Sequence, residues 1–332
     1  MSLETKEKEF TFEDDKMISQ FEKDVLEFFH EGMRGNLWPY IYGAPRSDDD
    51  PVRGGILYNE MLENEADYYL YKYEAEIFQS MGGDIASVIG PNATFIELGP
   101  GSEQSLRLKT LPLLQACSEL QGYVGIDISQ SFLDKSLAVI REALPHIEIS
   151  GTQQDFTKLT SIPDCEKPVV FFKGSTIANL RRDEVPPFIA RIHELVGKPH
   201  YLLLVQDCNQ DETSLMKAYD NYGMGVFMAN IMHRIQRDLE ISEMDGGAFT
   251  YKPEWVPEEH DLKHVVTATK DQQFDLRGQE VKIAQGEKFH TLSSFKYPTD
   301  VFQEMIGGTK YEVVHNFQGG SGRLAVHLFK GG

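Results

Sequence analysis

The sequence predicts an α/β chain: a doubly wound, Rossmann-like parallel sheet joined to a second, mixed α+β lobe. Three observations carry this. Between Thr94 and Asp207, five short apolar runs alternate with segments of helical period, the signature of strands joined by crossover helices. The first run, "TFIEL", passes straight into "GPGSEQS", a turn with two glycines one residue apart that opens a helix. After Asp207 the alternation stops, giving a helical stretch and then short strands separated by polar or Gly-containing turns.

In order along the chain, the first 15 residues are strongly charged and are expected to fray. From 16 to 31, Ile18, Phe21, Val25, Phe28 and Phe29 recur at helical spacing, giving one amphipathic helix. "NLWPYIYGAPRSDDDPVRGG" is rich in Pro, Gly and Asp and reads as loop. "ILYNEMLENEADYYLYKYEAEIFQSM" reads as helix, broken near its tyrosines. "TFIEL", "YVGIDI", "IEISGTQQD", "VVFFKGS" and "YLLLVQD" are the five strands. The helices between them include 103–119, with Leu106, Leu111, Leu113 and Leu114, then "FLDKSLAVIREAL" and "VPPFIARIHELV". Right-handed crossovers would place helices on both faces. Residues 211–241 read as helix, and "HVVTATK", "QFDLR", "EVKIA" and "FHTLSSFKY" as an antiparallel meander. "YEVVHNFQ" and "RLAVHLFK", joined through "GGSG", form a closing hairpin that is expected to finish the sheet begun by "TFIEL".

With 332 residues, 41% of them hydrophobic and 25% charged, the chain has core enough for one large domain or two modest ones. A net charge of −20, scattered rather than run into tails, disfavours nucleic acid as a partner. Three cysteines without ligand spacing, Cys117, Cys165 and Cys208, fit a reducing compartment, and ten histidines without such spacing predict no metal. "MSLETKEKEF" lacks an apolar signal core and no apolar stretch reaches 18 residues, so a soluble, cytoplasmic protein with no membrane partner is expected.

The glycine turn lacks the third glycine of the dinucleotide-binding pattern, and an acid, Glu97, ends the strand before it. A carboxylate there suits a cationic ligand better than a diphosphate, and S-adenosylmethionine (SAM), with a sulfonium, an ammonium and no phosphate, meets that demand. Asp127 closes the second strand, where a carboxylate can accept both ribose hydroxyls. Asp155, in "QQDF" after the third strand, supplies a polar edge for adenine. Three acids at three successive strand ends predict a SAM-dependent methyltransferase. The alternative reading is a degenerate SAM-binding scaffold or regulator without turnover.

"FFKGSTIANL" at 171–180, "KAYDNYG" at 217–223 and "YYLYKYE" resemble segments of the histidine-specific, SAM-dependent methyltransferases of ergothioneine biosynthesis, related to the ergot-alkaloid N-methyltransferases. The resemblance runs from Trp38 to the C-terminus. It implies N-methylation of an amino acid's α-amino group. It implies cofactor contacts for Glu97, Gly99, Gly101, Asp127, Asp155 and Phe156, with Gly174 facing the sulfonium and Lys72 near the methionine carboxylate. Asn179 and Tyr219 match the pair that holds the substrate carboxylate, and Tyr42 a tyrosine that closes on the substrate; apart from the resemblance, the amine proton is expected to go to water or to a tyrosine such as Tyr42. The family's late strand carries Thr-Glu-x-Ser, whose Glu and Ser grip an imidazole; here it reads "TLSS", so Ser294 is kept while Leu292 replaces the acid. L-Histidine is therefore disfavoured as the acceptor. The expected division is a helical region at 1–89 contributing to the substrate site, a SAM-binding core of 90–210 and 294–332, and a substrate-binding lobe at 211–293.

Overall fold

In chain order the elements are α1 (Gln20–Glu31), α2 (Gly54–Asn64), α3 (Tyr69–Ile89), β1 (Thr94–Leu98) and the helical segment α4. This last runs Glu103–Ser105, widens into a π turn over Leu106–Thr110 and resumes as Leu111–Ala116. There follow β2 (Gly122–Asp127), α5 (Gln130–Ala143), β3 (Glu148–Gln153), β4 (Pro168–Phe172), α6 (Val185–Val196) and β5 (His200–Asp207). Next come α7 (Glu212–Tyr219), α8 (Tyr222–Asp238), β6 (Phe249–Val256), β7 (Asp261–Ala268), β8 (Gln272–Leu276), β9 (Gln279–Ile283) and β10 (Lys288–Phe295). The chain closes with α9 (Thr299–Gly307), β11 (Tyr311–Gly319) and β12 (Leu324–Gly331). This computed structural model describes residues 20–332, the side chain of Ser131 excepted. The charged opening stretch and the start of the first expected helix, Ile18 included, lie outside the described residues.

The chain divides into two units, changing over after Tyr68, Gln210 and Phe295. The first holds Tyr69–Gln210 and Lys296–Gly332, so α3 belongs with the sheet and not with a separate N-terminal region. Its apolar face explains this: Leu70, Ile77, Phe78, Ile85 and Ile89 are buried at helical spacing. The seven-stranded sheet has the order β11-β12-β5-β4-β1-β2-β3. β3, β2, β1, β4 and β5 run parallel, while β12 pairs antiparallel with β5 and β11 with β12. β1 and β4 are buried at every residue, as strands covered on both faces must be. Strand order reverses between β1 and β4, and in open α/β sheets ligands bind at the carboxyl ends beside such a reversal.

Two of the three crossings are tied within this unit at one fully buried residue, Asp207, and the third to its partner Lys296. Its Oδ2 accepts from the Tyr69 hydroxyl at 2.8 Å and meets the Lys296 ammonium at 2.8 Å. Oδ1 accepts from the Asn209 N–H at 3.1 Å, and the Gln210 side-chain amide donates to the Lys296 carbonyl.

In the second unit, residues 20–68 accompany Asp211–Phe295. The helix expected over 211–241 is two helices, because Asn221 caps α8 by accepting from the Met224 N–H at 2.8 Å. The expected meander is two sheets. β10-β7-β6 form one, and β8 and β9 a separate hairpin turning on Arg277 and Gly278, both at positive φ. Strand β6 carries Pro253, which its edge position tolerates, and this masked the strand in the sequence. Among the described residues no helix is long and apolar enough to cross a membrane.

Replacing Asp207 by Asn should cost about 3–5 kcal/mol of unfolding free energy in denaturant titration, since it deprives a buried Lys296 of its carboxylate. Combining it with Lys296→Met should cost less than the sum of the two single changes.

Candidate functional site

The turn after β1 is made by Gly99 and Gly101, at φ +73° and +75°. Left-handed backbone at two positions so close together favours glycine, and nothing lies nearer than 4.0 Å to where a Gly101 Cβ would project. A Cβ at Gly99 would touch the Phe156 ring at 3.5 Å. The turn is fastened to its neighbour: the Gly99 N–H donates to the Ile126 carbonyl at 2.8 Å and the Gly101 carbonyl accepts from Ser136 Oγ at 3.1 Å.

Asp127 ends β2, nearly buried, with its Oδ1 accepting from the Ser129 N–H at 2.9 Å. Burial raises its pKa above the ordinary aspartate value, while the backbone N–H groups of Ser129, Gly101 and Ile128 oppose that rise. Asp155 caps the short turn Phe156–Lys158, its Oδ1 accepting from the Thr157 N–H at 2.9 Å and the Thr157 hydroxyl at 2.6 Å. The Phe156 ring stands edge-on to Phe172 at 5.2 Å. Asp127, Asp155, Phe156 and the glycine turn therefore share the carboxyl edge of β1–β3.

Glu97 is placed differently from a bare anion beside the turn. It is fully buried, 2.6 Å from the Lys173 ammonium, and accepts from Thr110 Oγ1 at 2.9 Å and the Tyr123 hydroxyl at 2.5 Å. Its charge is balanced internally, so no naked carboxylate stands here to demand a cationic ligand. A parallel pair lies in the same unit, with fully buried Glu74 2.6 Å from Lys109. Lys72, by contrast, has a side chain 69% exposed and lies 4.0 Å from Glu76, an ordinary solvated pairing of residues four apart on a helix.

After β4, Gly174 and Ser175 are both left-handed, at φ +73° and +54°, and lead into the 3-10 turn Thr176–Asn179. Ser175 Oγ accepts from the Asp207 N–H at 2.9 Å, which fixes the turn to β5. Asn179 ends it half-buried, and among the described residues its amide makes no hydrogen bond.

In the second unit, Tyr219 ends α7, buried, with its ring edge-on to Tyr68 at 5.4 Å and to His264 at 5.6 Å. Across the sheet Leu292 is the direct partner of His264, and Ser294 that of Leu262, so these side chains share one face. Leu292 is 4% exposed. Tyr251 adds a third ring, stacked on His264 at 5.7 Å with its hydroxyl 2.9 Å from Nδ1. A bulge between His290 and Leu292 sets this register.

Tyr42 lies on the loop 41–53, against Tyr58 at 5.3 Å and Phe227 at 5.6 Å. One stripe of α8 straps that loop. Asn230 bonds the Pro51 carbonyl and Arg53 N–H, Arg234 the Tyr40 carbonyl, and Arg237 the Ala44 carbonyl and Asp50. Although Tyr42 is 49% exposed, desolvation pushes its phenol up to about 12.

Sequence reasoning missed Glu74, Lys109, Lys173, Tyr251 and His264. For Glu74 a signal existed: it falls in the buried phase of α3, between Leu70 and Ile77–Phe78, where an acid is out of place. Among the described residues no group of three His, Cys, Asp or Glu side chains could hold a metal ion.

Residues 48–331 match the model of a family described as histidine-specific methyltransferase, SAM-dependent. The histidine N-alpha-methyltransferase of Mycolicibacterium smegmatis is 28% identical over 286 residues, covering 83% of this chain and 88% of that one. The N-methyltransferase dtpB of Aspergillus flavus is 25% identical over 276 residues, covering 79% and 77%. Among solved structures, a SAM-dependent methyltransferase from Clostridium acetobutylicum superposes with a TM-score of 0.44 at 11% identity, covering 83% of this chain and 97% of that one.

The glycine turn gives a direct test of backbone strain. Gly101→Ala meets no neighbour, so its whole effect on the free protein should be the left-handed φ, about 1–2 kcal/mol in denaturant unfolding. A loss beyond that range would mean the turn is more tightly packed than this arrangement allows.

Proposed function

From membership of the histidine-specific, SAM-dependent methyltransferase family, to which this chain belongs, we propose that the enzyme methylates the α-amino group of an amino acid whose side chain is larger or more apolar than imidazole. The family assignment makes the protein a SAM-dependent methyltransferase. The single observation that carries the acceptor reading is Leu292, a buried apolar residue on the same sheet face as His264 and Ser294, where the family resemblance calls for an acid.

The residues present fit SAM. A Cβ at Gly101 would meet nothing nearer than 4.0 Å, which leaves room beside the left-handed turn, and Asp127 offers a carboxylate at the second strand end. When bound, SAM supplies a methyl group already activated by its sulfonium. Asp127 would accept from the ribose hydroxyls, Asp155 and Phe156 would flank the adenine, and the Gly174 turn would face the sulfonium. With the donor so activated, alignment is the protein's main task, and positioning alone is worth ~7–11 kcal/mol.

In the first unit Asn179 is the proposed holder of the acceptor's carboxylate, and in the second Tyr219 is a proposed substrate contact. Asn179 suits the role because its amide is half-buried and uncommitted. The acceptor amine must lose a proton before it can attack. Tyr42, with a phenol raised to about 12, holds its own proton at neutral pH and serves as a donor or a ring wall, leaving water to take the amine proton. At the ring end a buried imidazole N–H would find Leu292 in place of an acceptor, at a cost of ~1–3 kcal/mol. Apolar walls reject such a ring but discriminate poorly among apolar aromatics, so tryptophan or a related aromatic amino acid is the first expectation.

The test is an acceptor screen with SAM across amino acids and biogenic amines, reading release of S-adenosylhomocysteine. Fast turnover of histidine at low KM, or a best acceptor that lacks a carboxylate, would sink the reading.

Two substitutions sharpen it. Asp127→Ala should weaken SAM at least about tenfold by calorimetry, because two charge-assisted hydrogen bonds of ~1.5–3 kcal/mol each are lost. Asn179→Ala should abolish turnover of carboxylate-bearing acceptors with SAM affinity unchanged, while Leu292→Glu should shift kcat/KM toward histidine.

A further inference from the structure

We propose that Glu74 is a positioning residue for the cofactor: its carboxylate clamps the left-handed turn after β4, and Lys109 holds that carboxylate in place. The proposal rests on the reading that the Gly174 turn faces the cofactor.

Three independent features converge on this clamp. Glu74 Oε1 accepts from the Gly174 N–H at 2.7 Å, and it comes from α3, far away in sequence. The clamped turn is strained, since Gly174 is followed by a non-glycine residue, Ser175, that is also left-handed. Such backbone persists only where its surroundings over-determine it, and it concentrates at functional sites. The third feature is the π turn of α4. It turns two consecutive residues inward, Lys109 to Glu74 Oε2 at 2.6 Å and Thr110 to Glu97 and Lys173. Single π turns inside helices are rare and cluster at functional sites for this reason.

A structural role alone explains the pair poorly. Buried ion pairs contribute little stability relative to apolar residues of similar volume. Two leucines or methionines would fill this space, yet they could not accept from the Gly174 N–H. What the pair supplies is an acceptor oxygen at a fixed point, with Lys109 balancing its charge and packing 4.1 Å over the Tyr71 ring. The turn so fixed carries both Gly174 and, five residues on, Asn179.

Two double variants separate the roles. Glu74→Gln with Lys109→Met removes both charges but keeps an amide oxygen for Gly174. Glu74→Met with Lys109→Met removes the acceptor as well. SAM affinity is read by calorimetry, kcat with the best acceptor of the screen, and folding by thermal melting. The Gln/Met chain is expected to bind SAM within about threefold of the parent. The Met/Met chain should melt within a few degrees of it, yet bind SAM at least about tenfold more weakly, with kcat reduced (tenfold being ~1.4 kcal/mol). Equal SAM affinity in the two doubles overturns the proposal, as does a Met/Met chain that does not fold, because the role is then structural. Failure of the underlying cofactor reading is seen separately, as Asp127→Ala binding SAM as tightly as the parent.

Discussion

The carboxylate of Asp207 satisfies a constraint that the whole sheet unit depends on. The chain leaves and re-enters that unit, and β12, which must lie between β5 and β11, is made only after the last return. Fixing the return point to β5 therefore fixes where the closing hairpin starts. Lys296, the first residue after the return, meets Asp207 at the end of β5, and Tyr69, the first residue of α3, bonds the same oxygen. A buried ion pair adds little stability over apolar packing but is intolerant of misplacement, which makes it suited to setting register.

The same logic organises the carboxyl edge. Three fully buried acids there each have a cation at hydrogen-bond distance: Glu97 with Lys173, Glu74 with Lys109, Asp207 with Lys296. These pairs tie α3, the helix after the glycine turn, β1 and the turn after β4 into one rigid frame. Asp127 stands apart from them, satisfied by backbone N–H groups rather than a lysine. Its carboxylate is met by backbone, whereas that of Glu97 is consumed in holding the frame together.

In the second unit the chemistry is reversed. Tyr219, Tyr251, His264 and Leu292 present rings and an aliphatic side chain on one face of β10-β7-β6, which Ser294 shares. One leucine changes what such a surface welcomes. A carboxylate would reward a ring N–H, whereas a leucine rewards only contact area.

Strand and helix existence was legible in the sequence wherever a residue's immediate neighbours decide its conformation. The apolar runs of β1, β2, β4 and β5, the glycine turn and the closing hairpin all announce themselves by period or by residues with special backbone freedom. Asp127, Asp155 and Asn179 were legible for the same reason, as polar residues at or just beyond strand or turn ends. Tertiary structure decided the rest. Pro253 hid β6 because a proline is tolerated only where the missing N–H faces no partner, and edge position is not a local property. The expected meander separated because pairing β7 with β10 depends on contacts across a 20-residue span. Local sequence says that Glu74 and Glu97 are acids; only the fold says that Lys109 and Lys173 neutralise them. Charge pairing acts through space, over a few ångströms that can separate residues 76 positions apart, as Glu97 and Lys173 are.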